Sequence, residues 1–460
     1  MLSAKQQSRS RKNNTSLAIK TNHRSWIFSS RIGIYLMKTR HAYIIGSARI
    51  PFFKSMTKYS DVGLQDMMTS TLQLLVDHMH LSNKVLGDVA LGAIINSSAN
   101  WNLARECVLG TTLDPHTPAY NIQRACGTSL EAARQIALKI SNHQIESGIA
   151  GGCDSNSDLP ILISRSLTKK LLAMKNEKNR LSKLKLLTSF RSSDFKLVLP
   201  QIVEPRTGLS MGEHCEKMVK EWNISRAAQD ELALRSHQNG VKAYQEGFYD
   251  DLVFEFMGLK RDGILRSDTS LEKLAKLKTS FDFSDKGTLT AGNSSPLTDG
   301  AAAIFMAREN YAKQSNHSLL ARFVDAESAA TDFVHNEGLL MAPTIAVSNL
   351  LKRNNLSLQD FDFYEIHEAF AGQVLCTLKA WESADYCKRV LNREKALGSI
   401  DLTKMNIKGG SVALGHPYAA TGARIIGALA KMLYQKGSGR GLISICTAGG
   451  MGVTAILEAV

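Results

Sequence analysis

Between residues 40 and 155 short apolar runs alternate with segments of helical period, and that alternation restricts the chain to an α/β layer architecture. Ala42-Tyr43-Ile44-Ile45-Gly46 reads as a strand, Leu64–Met79 as an amphipathic helix, and Val89–Ile95 as an apolar run suited to a buried strand. Helical signal returns near Asn102, and Gly148-Ile149-Ala150-Gly151-Gly152 is a short strand closed by glycines. The alternation resumes with an apolar run at Ala301–Met306. A helix over Thr421–Lys436 is then stopped by Gly437, and a last strand falls at Leu442–Ile445. There is also an internal echo. Asn121-Ile122 precedes Cys126, a helix and a Gly-rich strand end, while Asn406-Ile407 precedes His416, a helix and another such end. The echo suggests two similar α/β halves with residues 159–278 inserted between them.

Three residues at such junctions carry candidate chemistry. Cys126 follows Asn121-Ile122-Gln123-Arg124-Ala125 and precedes a helix whose buried face is Leu130, Ala133, Ala137 and Ile140. A thiol at a helix N-terminus feels unpaired backbone N–H groups and the positive end of the dipole, which favour thiolate and make it a candidate nucleophile. A small residue packed between strand and helix accounts for a lone cysteine equally well. His416 lies between Gly415 and Pro417, and Cys446 ends the last strand before Thr447-Ala448-Gly449-Gly450. Open α/β sheets bind ligands at strand ends of this kind. For His416 a satisfied core histidine is the competing explanation.

The formal charge of +14 is unevenly placed. Met1–Arg40 holds nine Lys or Arg and no acid, and the first carboxylate is Asp61. Residues 1–36 are therefore expected to stand outside the fold, either as a transit-like leader or because Met37 is the true start. With that segment set aside, the argument from charge for nucleic acid weakens accordingly. Arg165–Lys196 carries ten Lys or Arg against two acids, interleaved with leucines. A solvated helical face and a surface for anionic phosphates or an acidic bilayer are the two readings of that run. The seven cysteines have no metal-like or paired spacing, which points to reduced thiols.

Arg124–Ser129, Asn293–Ala303, His367–Phe370, Gly409–Gly422 and Cys446–Gly452 together resemble the thiolase family, the 3-ketoacyl-CoA thiolases and acetyl-CoA acetyltransferases, from about Tyr43 to the C-terminus. Most members carry Asn-Glu-Ala-Phe where this chain has His367-Glu368-Ala369-Phe370. That variant, like the leucine-and-lysine-rich insert, resembles the β-subunit branch of the fatty-acid oxidation trifunctional complex. The resemblance implies a layered αβαβα core of two α/β halves with a mostly helical inserted loop domain. The expected units are 37–158 completed by about 279–315, the insert 159–278, and 316–460.

The resemblance also implies roles. Cys126 would attack the 3-keto carbon, His416 would take its proton, and Cys446 would protonate the departing acetyl-CoA carbanion. His416 and a water held by His367 would face the enolate oxygen. Backbone N–H groups of Cys126 and Ala448 would hold the other oxyanion; many members have glycine where Ala448 stands. Glu368 is expected to orient its loop by hydrogen bonds. No metal and no cofactor are implied beyond coenzyme A as substrate. The expected activity is 3-ketoacyl-CoA thiolase of fatty-acid β-oxidation, with a biosynthetic acetyl-CoA acetyltransferase as the alternative and a non-catalytic lipid-binding protein as a remote one. A ketoacyl synthase would lack the second cysteine. Expected partners are a second copy and, in a heterotetramer, a hydratase/dehydrogenase α-subunit, with no nucleic acid and a membrane contact through 165–196. A cytoplasmic site is expected for a bacterial chain, and a mitochondrial one if residues 1–36 are a transit peptide.

Overall fold

The computed structural model describes residues 40–198, 200 and 203–460; the leader expected at 1–36 lies outside them. In chain order the strands are β1 (Ala42–Arg49), β2 (Phe53–Lys54), β3 (Asp88–Leu91), β4 (Ala119–Asn121), β5 (Ser147–Asp154), β6 (Leu162–Ile163) and β7 (Leu197–Val198). They continue with β8 (Thr298–Arg308), β9 (Ala321–Ala330), β10 (Phe363–Ile366), β11 (Arg440–Thr447) and β12 (Met451–Glu458). Hydrogen bonds run along the path β4-β3-β5-β8-β1, pass from β1 to β9, and continue β9-β12-β11-β10. In the first half β1–β8 and β8–β5 are antiparallel and β5–β3 parallel. In the second, β9–β12 and β12–β11 are antiparallel and β11–β10 parallel. The same order and directions occur twice, so the echo heard in the sequence is a structural repeat.

Strand alternation builds the layers, because successive side chains point to opposite faces. Along β8, Ala301, Ala303, Phe305 and Ala307 meet the helices Leu64–His78 and Leu103–Leu109. Their alternates Ala302, Ile304 and Met306 face the helices Thr128–Ser141 and Thr421–Lys436. On β11, Ile443 and Ile445 face those same two helices, while Leu442 and Cys446 turn toward Ala342–Asn354 and Ala371–Glu382. The two central helices are thus sandwiched between the half-sheets, which gives the expected αβαβα order. Each fully buried Ile or Leu in that middle layer contributes about 1.5–3 kcal/mol.

The central helices meet at their N-termini. A Cβ on Gly422 would lie 2.5 Å from the Leu130 backbone nitrogen, so only glycine permits this approach. Beside it, Ala423 N–H donates to Ser129 Oγ at 2.8 Å. The contact brings the residues before each helix, Cys126 and His416, to one place.

Two local expectations are corrected. β1 continues to Arg49 and does not stop at Gly46, since Ser47, Ala48 and Arg49 stay paired with β8. Arg49 is anchored there by Asp262, with Nη1–Oδ1 at 2.6 Å and Nη2–Oδ2 at 2.7 Å, both buried. β3 ends at Leu91 and not Ile95, because the N–H groups of Ile94 and Ile95 donate to the Asp154 carboxylate at 2.9 and 2.8 Å and not to a strand. Between β5 and β8 the α-helices are Arg165–Asn176, Arg180–Leu187, Met211–Glu221, Arg226–Gln245 and Leu271–Ala275; turns and loops make up the larger part, so the insert expected to be mostly helical is α-helical over less than half of its described residues.

Candidate active site

Cys126 sits in a tight turn between β4 and the Thr128–Ser141 helix, for which Gly127 is the N-cap. Ala125 has φ of 44°, a left-handed value uncommon for a residue with a side chain. The turn is held by Thr128, whose hydroxyl donates to Ala125 O at 2.6 Å and accepts Arg124 N–H at 2.9 Å.

His416 precedes the second central helix in the same way. Its Nε2 lies 3.3 Å from Cys126 Sγ and its Nδ1 is 2.7 Å from Thr421 Oγ1. An Nδ1–H donated to the threonine leaves a lone pair on Nε2, facing the thiol. The His367 ring lies 4.1 Å from that of His416, centroid to centroid. One ligand atom from each of Cys126, His367 and His416 falls within 4.8 Å of the others. Among the described residues this set could hold a metal ion, and a thiol with two imidazoles would suit a soft cation such as zinc.

Cys446 lies near the end of β11, and its neighbour Thr447 comes within 3.2 Å of where a Cβ on Gly127, the residue after Cys126, would stand. The three-residue loop that follows returns the chain into β12, with φ of 76° at Gly449 and 69° at Gly450. It carries the Ala448 N–H, which acts on the Cys126 sulfur together with the N–H of Cys126 itself. The structure therefore brings Cys126, His416, His367, Cys446 and the Ala448 amide together, although Cys126 and His416 alone are 290 residues apart in sequence.

Burial sets the charge state of this cluster. Cys126 is only 7% exposed and His416 5%. Desolvation pushes the Cys126 thiol up to about 12, and the amides of Ala448 and Cys126 pull the other way without overcoming it. The sequence argument from the helix dipole thus has the right sign for one contribution and loses to a larger one. Burial, helped by the charge of Arg424, holds the His416 imidazole down at about 3 and that of His367 well below its usual range. The resting site is a neutral thiol beside two neutral imidazoles. Cys446 is likewise held up by burial, with the Cys126 charge adding to it.

The surrounding carboxylates position loops. Glu368 accepts hydrogen bonds from Ser236 Oγ at 2.7 Å, Asn406 Nδ2 at 2.6 Å and Val412 N–H at 3.2 Å, tying its loop to the one before His416, as expected. Asp154 and Glu204 were not legible in the sequence. Asp154 accepts the N–H of Ala419 at 2.8 Å, beside those of Ile94 and Ile95, and burial pushes its carboxyl up to about 7. Its place at the carboxyl end of β5 was the available signal. Glu204 accepts Gly449 N–H at 2.8 Å and so braces the loop bearing Ala448; nothing near it in sequence pointed there. His214 bonds Thr207 Oγ1 through Nε2 at 2.7 Å.

Residues 42–310 match the family description "Thiolase, N-terminal domain" and residues 317–459 match "Thiolase, C-terminal domain". The chain belongs to the thiolase family. A curated thiolase relative, 3-ketoacyl-CoA thiolase of Vibrio cholerae serotype O1, is 39% identical over 421 residues, covering 90% of this chain and 96% of that protein. Among solved thiolase folds, the Bacillus anthracis acetyl-CoA acetyltransferase superposes with a TM-score of 0.75 at 28% identity, over 92% of this chain and 100% of its own. Human mitochondrial 3-ketoacyl-CoA thiolase does so with 0.75 at 26% identity, over 92% and 99%.

Proposed function

We propose that the protein is a 3-ketoacyl-CoA thiolase of fatty-acid β-oxidation, an acyltransferase that cleaves 3-ketoacyl-CoA with coenzyme A through an acyl-cysteine intermediate. The observation that carries this reading is the 3.3 Å contact of Cys126 Sγ with His416 Nε2, with a second thiol, Cys446, beside it. A lone Cys–His pair would serve many acyl transfers, whereas carbon–carbon cleavage also needs an acid for the carbanion.

In the first half-reaction Cys126 Sγ bonds to the 3-keto carbon as its proton passes to His416 Nε2. The keto oxygen becomes an oxyanion facing the N–H groups of Cys126 and Ala448. Collapse re-forms the carbonyl and breaks the bond between carbons 2 and 3, leaving the electron pair on acetyl-CoA as an enolate, which takes the proton of Cys446. His416 and His367 lie on the side of the enolate oxygen. In the second half-reaction coenzyme A surrenders its thiol proton to the cluster, attacks the acyl-cysteine and releases an acyl-CoA two carbons shorter. The cluster needs no metal for any of these steps. The test is CoA-dependent cleavage across 3-ketoacyl-CoA chain lengths. Turnover of medium or long chains is expected, and cleavage of acetoacetyl-CoA alone would favour the biosynthetic acetyltransferase.

We also take residues 159–278 as an inserted unit, since β5 pairs directly with β8 across it, and its helices Arg165–Asn176 and Arg180–Leu187 as a contact for an anionic bilayer. Leu171, Leu172, Leu181, Leu184 and Leu187 are all exposed there among the lysines, the combination an interfacial helix uses. Among the described residues no helix is long and apolar enough to cross a membrane. Co-sedimentation with phosphatidylserine vesicles is expected for the native protein and lost when the lysines of 165–196 are replaced by glutamine; equal binding by both would remove the contact. Assembly as a homodimer, and with a hydratase/dehydrogenase α-subunit, completes the proposal and is read from the mass of the native complex.

A further inference from the structure

His367 Nε2 is buried with no hydrogen-bond partner among the described residues, while its other nitrogen is engaged: Nδ1 lies 2.8 Å from Ser411 Oγ. Ser411 Oγ is in turn 2.7 Å from Arg424 Nη2. Arg424 is 3% exposed, and its nearest carboxylate oxygen, on Glu365, stands 4.0 Å away. A buried guanidinium whose shortest side-chain contact is a neutral hydroxyl is costly to keep, which directs attention to what that hydroxyl does next.

The hydrogen count decides it. A guanidinium can only donate, so at the Arg424 contact the serine oxygen accepts. Its single hydrogen is then free to point at the other neighbour, His367 Nδ1, which must offer a lone pair. The ring hydrogen consequently sits on Nε2. The reverse arrangement, with arginine and histidine both donating to Ser411, would strand a buried hydroxyl hydrogen with no acceptor among the described residues.

We propose that Arg424 and Ser411 form a positioning relay that fixes the tautomer of His367, so that an N–H and not a lone pair faces the reacting thioester. Where His416 gives its Nδ1–H to Thr421 Oγ1, its Nε2 lone pair faces the thiol proton, and His367 supplies the fixed donor for developing negative charge. The positive charge of Arg424 also opposes protonation of either ring. This rests on the thiolase reading for its catalytic consequence, though not for the tautomer itself.

The test is a double-mutant cycle with a spectroscopic control. Ser411→Ala is expected to lower kcat by about 10- to 100-fold, the scale of losing one aligned donor, with KM little changed. In a His367→Asn background the donor is an amide, which has no tautomer to set, and Ser411→Ala should then cost less than about threefold. Long-range 1H–15N spectra of histidine-labelled protein should show His367 protonated at Nε2 in the native form and no longer fixed there in Ser411→Ala. Equal losses in both backgrounds, no loss in the native one, or a native ring protonated at Nδ1 would each overturn the relay. An inactive native protein with the Nε2–H spectrum would sink the proposed function and leave the relay standing.

Discussion

Cys126→Ser is expected to abolish thiolytic cleavage, with kcat falling by at least about 10⁴-fold, because removing the nucleophile of a covalent mechanism removes the pathway and not merely a contact. The substitution keeps the volume and the turn, since Thr128 and not the thiol holds Ala125 in place. Folding and thermal stability should therefore stay close to native. A serine hydroxyl is a weaker acid than a thiol already pushed up to about 12, so His416, held at about 3, cannot draw its proton away. The same burial gives a second readout on the native protein. Thiolate is a small fraction at every working pH, so alkylation of Cys126 by iodoacetamide should keep rising about tenfold per pH unit from pH 7 to 10. A plateau near pH 7 would mean that the helix N-terminus and amides outweigh desolvation after all.

The second large effect is at His416. His416→Ala is expected to lower kcat by about 10²- to 10⁴-fold, combining the loss of the base for Cys126 with loss of help at the enolate oxygen. The sign of its pH behaviour follows from the depressed imidazole. At about 3 the ring is neutral at pH 6 and at pH 8 alike, so the ratio of native to variant rates should be the same at both. A ratio that grows from pH 6 to pH 8 would indicate a histidine near its ordinary value and a cluster wetter than the 5% exposure of His416 allows. Stored free energy is not the explanation of the loss. His416 is one of many buried side chains, and its Nδ1 bond to Thr421 is worth about 1 kcal/mol.

Much of the scaffold was readable because period and punctuation agree there. The helix Thr421–Lys436 has the bounds its apolar stripe and Gly437 dictate, and Gly437 adopts φ of 71°. Ile443 and Ile445 point inward as a strand alternation requires. The end of β3 was misjudged because an apolar run does not reveal that Asp154, sixty residues on, captures the N–H of Ile94. At the site, Cys126, His416 and Cys446 were flagged by glycine-flanked junctions, and the family resemblance added His367 and the Ala448 amide. What sequence could not supply was the electrostatics. Whether Cys126 is a thiolate depends on its 7% exposure, a property of packing that no local motif encodes. Ser411, Arg424 and Glu204 were missed for a related reason. Each acts through a contact across the fold, and serine, arginine and glutamate are ordinary surface residues when read singly.

The central claim is that a shortened acyl chain rests on Cys126 between two half-reactions. Mixing the protein with a 3-ketoacyl-CoA in the absence of free coenzyme A, quenching with acid and sequencing the peptides by mass spectrometry tests it directly. The account predicts an acyl group two carbons shorter than the substrate on Cys126 and an equivalent of acetyl-CoA in solution. An unmodified Cys126, or the acyl group on Cys446, would contradict it.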